Sequence, residues 1–239
     1  MSKKFKGKTC VYCGTPKSSQ TGDHIFAREF FLLNRRDNLP QVPACKICNI
    51  EKSKLEHYLT TVLPFGGQHK DAFTNLEIMT PRRLEKNRKL ARHLAQNKQK
   101  VWVFENGLYV TKLKIPFDSY KLDKLFCFIV KGLIWHHWKI LVTSNIFVRA
   151  GCIMKMAEQF FQNFFSGISN QQVNGELGEG TIRYKGIQSV ECPYLSLWRF
   201  SVYGGLKFGD DPNAPSETPT LIWGLTGKTK AIPDMWLQS

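Results

Sequence analysis

Two pairs of cysteines, Cys10-Val11-Tyr12-Cys13 and Cys45-Lys46-Ile47-Cys48, stand 31 residues apart near the start of this 239-residue chain. A Cys-x-x-Cys turn spans one edge of a thiolate tetrahedron, so two such turns can close around one zinc ion and staple distant segments together. A redox pair is the other use of the motif, but neither pair has a thioredoxin-like strand–helix context. The separation is longer than in compact zinc fingers, so something must be built in the insert. Three further cysteines, Cys127, Cys152 and Cys192, are single and lie in apolar surroundings, where they read as buried thiols.

Charge is distributed unevenly. Of the net +15, residues 1–100 hold 20 Lys+Arg against 8 Asp+Glu, whereas residues 101–239 hold 14 against 11. A basic half joined to a nearly neutral half suggests a footprint for a polyanion, with a plainly solvated lysine surface as the alternative. The basic segments lack the apolar face that membrane-surface anchoring needs. No run approaches the roughly 18 apolar residues of a membrane span. The basic start (MSKKFKGK) is followed by no apolar signal segment, so an intracellular, cytoplasmic protein is expected.

The chain divides near residue 100. Before it, Asp23-His24-Ile25-Phe26 reads as a short strand, Asp37-Asn38-Leu39-Pro40 as a turn, and Gln41 to Ala44 as extended. From Asn49, apolar residues recur at helical spacing as far as Val62, and Leu63-Pro64-Phe65-Gly66-Gly67 ends that helix. A second, strongly basic helix is expected from Pro81 to about Gln99. Beyond it, Val101 to Phe104 and Leu108 to Ile115 flank Glu105-Asn106-Gly107, a hairpin signal. Long helices are expected over Tyr120 to Leu141 and Met154 to Phe165, then short β-like runs at Thr181-Ile-Arg-Tyr, Leu195 to Val202 and Leu221-Ile-Trp. Trp135-His136-His137-Trp138 reads as core plus surface, because adjacent helical residues point in different directions.

The insert between the knuckles, and the residues after them, carry a resemblance. Cys10-x2-Cys13, Asp23-His24-Ile25, Asn38-Leu39 and Val42-Pro43-Ala44-Cys45-x2-Cys48-Asn49-x2-Lys52-Ser53 occur in the order found in the four-cysteine branch of the HNH endonucleases. The resemblance covers about residues 9–60. It implies a ββα-metal fold with a structural zinc at Cys10, Cys13, Cys45 and Cys48, and one catalytic Mg²⁺ or Mn²⁺. On this resemblance His24 is the general base, Asn38 the middle residue that braces the histidine, and Asn49 occupies the third position, a known family variant. Asp23 and Asn49 would supply two oxygens, one charged, which suits a hard ion.

Phosphodiester hydrolysis needs a base to deprotonate water and a cation to stabilise charge on the phosphate and leaving oxygen, and a neutral imidazole suits the first role near pH 7. Asn49, Lys52, Ser53 and Glu56 share a helix face. Lys52 could contact a phosphate and Glu56 could order a ligand, or the two could be a solvated pair; His57 reads as surface. Arg82, Arg83, Lys86 and Lys89 of the basic helix could track a phosphate backbone.

The sequence thus predicts an α+β protein: residues 1–100 an HNH nuclease module with its basic helix, residues 101–239 an α+β domain of unassigned role. Its expected activity is hydrolysis of nucleic acid, DNA ahead of RNA. Two other readings stay open. One is a zinc-stabilised nucleic-acid-binding module that does not cut; the other is an effector nuclease regulated through a protein partner of the C-terminal half, as in some phage-defence systems.

Overall fold

The computed structural model describes residues 3–105, 107–153, 171–208 and 220–228. Helices and antiparallel sheets alternate, giving the mixed α+β class that the sequence predicts. Strand β1 (Thr21–His24) pairs antiparallel with β2 (Gln41–Ala44) in the register Thr21↔Ala44, Asp23↔Val42 and His24↔Gln41. Helix α1 (Lys46–Val62) leaves β2 directly, with Cys45 as its N-cap: the thiol accepts from the Cys48 amide. The buried line along α1 is Cys48, Lys52, Leu55, Leu59 and Val62, the i, i+4, i+7 spacing of a core-facing stripe.

Two short 3₁₀ turns, Arg28–Phe30 and Leu33–Arg35, fill the loop between β1 and β2. The single basic helix expected from Pro81 is instead α3 (Thr80–Lys86) and α4 (Arg88–Asn97), preceded by α2 (Lys70–Thr74) and a π-helical turn. The break falls at Asn87, whose side chain accepts from the Leu90 amide at 3.0 Å and so starts a new helix. Asparagine caps helices well because it competes with the backbone for such donors.

A two-stranded hairpin follows, β3 (Gln99–Glu105) with β4 (Leu108–Lys114). Helix α5 (Ser119–Trp138) begins at the Asp118 cap and ends at Lys139, which is left-handed at φ 58°. Leu122, Leu125, Phe126, Ile129, Val130, Leu133 and Ile134 are all buried. That spread exceeds one stripe and marks a helix covered on more than one side. Its C-terminal end packs on the last sheet, with His137 Nε2 at 3.0 Å from the Tyr184 hydroxyl and Trp138 against Trp198. All four residues of the Trp-His-His-Trp run are half-buried.

The remaining strands, β5 (Ile146–Cys152), β6 (Gln171–Leu177), β7 (Ile182–Gln188), β8 (Ser196–Val202) and β9 (Ile222–Lys228), form one antiparallel sheet in the order β5-β9-β8-β7-β6. The helix expected over Met154 to Phe165 lies outside the described residues. Trp198, Phe200 and Tyr203 are fully buried.

One hydrophobic core runs from Cys10 through α1 and α5 to Ile222, across the division expected near residue 100. Phe26, just after β1, packs against Tyr184 and Phe200 of the sheet. Polar ties cross the same boundary. Buried Asp71 receives Arg35 Nη1 at 3.0 Å and the Thr181 hydroxyl at 2.5 Å, and the Tyr203 hydroxyl donates to Phe30 O at 2.8 Å. Among the described residues no helix is long and apolar enough to cross a membrane.

Candidate functional site

The first knuckle lies along β2, held by the Val11 amide on Pro43 O (3.0 Å). Its turn closes through the Gly14 amide on Cys10 O (2.9 Å) with Gly14 at φ 74°, a left-handed conformation that glycine adopts without steric cost. The second knuckle is the first turn of α1. The sulfurs of Cys10, Cys13, Cys45 and Cys48 therefore converge, all within 4.8 Å of one another. Among the described residues this is the sole cluster of three or more His, Cys, Asp or Glu donors close enough to hold a metal ion.

The cluster fits zinc. A tetrahedral site with Zn–S bonds of about 2.3 Å has sulfur–sulfur edges of about 3.8 Å, and Cys13 Sγ to Cys45 Sγ is 3.9 Å. The Cys45 amide donates to Cys10 Sγ (3.3 Å) and the Cys48 amide to Cys45 Sγ (3.5 Å), as thiolates require. Desolvation raises the thiols of Cys10 and Cys48. At Cys13, hydrogen bonds from Thr15 and the neighbouring thiols outweigh desolvation and bring the group down to about 7. Four such sulfurs cannot all ionise in mutual contact without a cation between them. A zinc ion would supply that charge.

Beside the knuckles, Asp23 and His24 point to different surroundings, as successive residues on a strand do. Asp23 is buried, and its Oδ2 accepts the Tyr12 hydroxyl at 2.6 Å and lies 3.0 Å from Lys52 Nζ. Its Oδ1 carries no hydrogen bond among the described residues. Lys52 is wholly buried. Its ammonium pairs with Asp23 and Glu56 and donates to the backbone oxygen of His24 at 2.7 Å.

The His24 ring is half-buried, with Nε2 at 2.8 Å from the Gln41 side-chain amide. Desolvation, then the charge of Arg28, lowers its pKa below the usual value, so the imidazole is neutral at pH 7. Gln41 reaches it by folding over Gly22: a methyl there would fall 2.5 Å from a Phe5 ring carbon and 2.7 Å from Gln41 Oε1. Asn49 donates through Nδ2 to Thr21 Oγ1 at 3.4 Å, two residues before Asp23 on the same strand face. Asn38 is exposed at φ 55°, in the turn that feeds β2.

The cations expected along a phosphate path separate into two groups. Arg82, Lys86 and Lys89 are exposed, but Lys52 and Arg83 are not. Arg83 donates to Thr60 O (2.6 Å) and Glu29 O (2.7 Å), tying α3 to α1 and to the loop after β1. Both side chains are turned inward by partners of their own, so neither can reach a ligand phosphate. His57 is exposed, as expected. Tyr12 and Gln41 were not among the expected site residues. Tyr12 owes its place to the knuckle and Gln41 to cross-strand pairing with His24, the one signal a strand register could have given.

Desolvation pushes Glu56 up to about 7 against the pull of Lys52, with Asp23 adding to the rise. A carboxyl whose folded pKa is raised holds its proton longer in the folded state, so its contribution to stability falls as pH climbs from about 4.5 to about 7. Glu56→Gln is expected to flatten that part of the stability–pH curve in urea titrations. An unchanged slope would mean that Glu56 titrates alike folded and unfolded.

No family model, no curated protein and no solved structure matches this chain.

Proposed function

We propose that this protein is a metal-dependent nuclease of the HNH type, cutting nucleic acid, DNA ahead of RNA, with water activated by His24. The observation that supports this most directly is a half-buried imidazole kept neutral on the strand that also carries the buried carboxylate of Asp23, both held against a cysteine-stapled helix. Lys52 fixes the backbone at His24, and the Gln41 side-chain amide orients the imidazole that takes a proton from water. Asp23 Oδ1 and the Asn49 side-chain oxygen, whose amide nitrogen is spent on Thr21, are the two donors for Mg²⁺ or Mn²⁺. When bound, that ion stabilises charge on the phosphate and the leaving oxygen. Zinc at the four cysteines holds the strands and helix in register and takes no part in the chemistry.

Plasmid nicking by the wild-type protein is expected only with added Mg²⁺ or Mn²⁺. His24→Ala should slow it by about 10²–10⁴-fold while keeping its zinc and its fold. Equal cutting by the two proteins, or no cutting with any divalent ion on DNA or RNA, overturns the reading; in the second case the zinc-stapled module binds without cutting.

A further inference from the structure

We infer that the β3–β4 hairpin is a nucleic-acid-binding arm that stacks unpaired bases on Trp102 and Tyr109 and takes the adjoining phosphates on Lys100 and the exposed cations of α4. The inference deepens the nuclease reading by naming how the substrate strand is held.

In the register Lys100↔Leu113, Trp102↔Thr111, directly paired residues share a face of the ribbon. Tyr109, two residues from Thr111 along β4, joins the same face, as a diagonal neighbour of Trp102 at about 7–8 Å. That face is open to solvent: Trp102 and Tyr109 are each 72% exposed and Leu113 is 52% exposed. Val101 and Val110, on the opposite face, are half-covered. Two large rings side by side on one open face are uncommon unless something lies against them.

Charge indicates the occupant. Lys100 stands on the aromatic face, which carries no acidic residue among Lys100, Trp102, Tyr109, Thr111 and Leu113. One residue, Lys98, separates the hairpin from α4, and the segment after β4 returns to α4, where Pro116 and Phe117 line a cleft with Lys89, Leu90 and His93. The arm is therefore rooted beside the exposed Arg88, Lys89 and Arg92. Aromatic rings interleaved with cations suit a strand whose bases are unpaired, because every base offers a face to stack and every nucleotide a phosphate. A protein surface would match the rings but gives no reason for the cations; a bare polyanion would match the cations but leave the rings unused.

The test uses the full chain carrying His24→Ala, so that no substrate is consumed, and fluorescence anisotropy of a labelled single-stranded oligonucleotide. Trp102→Ala is expected to weaken binding by about tenfold or more, Trp102→Phe to restore most of it, and inorganic polyphosphate to bind both variants alike. An unchanged affinity for the single strand after Trp102→Ala overturns the inference. So does an equal loss for polyphosphate, or equal dependence on Trp102 for a blunt duplex. A Trp102→Ala protein that changes oligomeric state but binds normally shows instead that a second copy covers the face. Loss of binding with Trp102→Ala tests the arm, while loss of cutting with His24→Ala and retained binding tests the active site, so the two readings fail separately.

Discussion

Cys45→Ser is expected to lose the zinc and with it the folded state of the chain. The substitution is informative because serine is itself a good N-cap. It can still accept from the Cys48 amide at the start of α1, so the loss is assigned to the metal and not to the cap. The binding free energy of structural zinc in small modules is about 10–16 kcal/mol, comparable with or larger than the roughly 5–15 kcal/mol that holds a domain folded. Metal analysis of the purified protein should give about one zinc per chain for wild type and almost none for the variant, and the cooperative melting transition should disappear. A metal-free variant that melts like wild type would show that the four sulfurs are an ordinary cluster of thiols.

Lys52→Met is expected to be the most costly change away from the cysteines. It strands Asp23 and Glu56 as buried carboxylates and removes the donor to the His24 carbonyl. Breaking a buried ion pair from one side costs about 3–5 kcal/mol. Urea denaturation at pH 7 should show a loss of that order, and adding Glu56→Gln should recover part of it, because the second change removes one of the stranded charges. Independent, additive effects of the two substitutions would show that the pair is not coupled. Cutting should fall by more than the loss of folded protein explains, since the strand position of His24 is no longer fixed.

How the sequence carried this site can be read residue by residue. The four cysteines and the strand holding Asp23 and His24 were legible because each depends on local chemistry: a turn that presents two thiols, and an alternation. The helix was expected only from Asn49, and the Cys45 cap that starts it at Lys46 went unread. Lys52 belongs to two overlapping patterns on α1. It shares a face with Asn49, Ser53 and Glu56, yet it also lies on the buried line Cys48, Leu55, Leu59, Val62, and burial decides between them. The partners of Arg83 come from Glu29 and Thr60, 54 and 23 residues away, so nothing in its own neighbourhood reveals that it is structural. Asn87 could have been read as a cap; the basic run around it masked the break. In the sheet β5-β9-β8-β7-β6 the last four strands are a meander of sequence neighbours, whereas the β5–β9 pairing joins distant segments, and alternation alone does not fix it.

Asp71 joins three parts of the chain: Arg35 from the loop between β1 and β2, the α2 turn that carries it, and Thr181 just before β7. Two of these are polar contacts made out of water, where a partner cannot be lost without leaving the other stranded. Were a zinc ion held at the four cysteines, its rate of exchange with solution would gauge events on the far side of the molecule. Any ligand that tightens the five-stranded sheet should slow the leak of metal from the cysteines, and any that prises the β6–β7 turn away from Asp71 should hasten it.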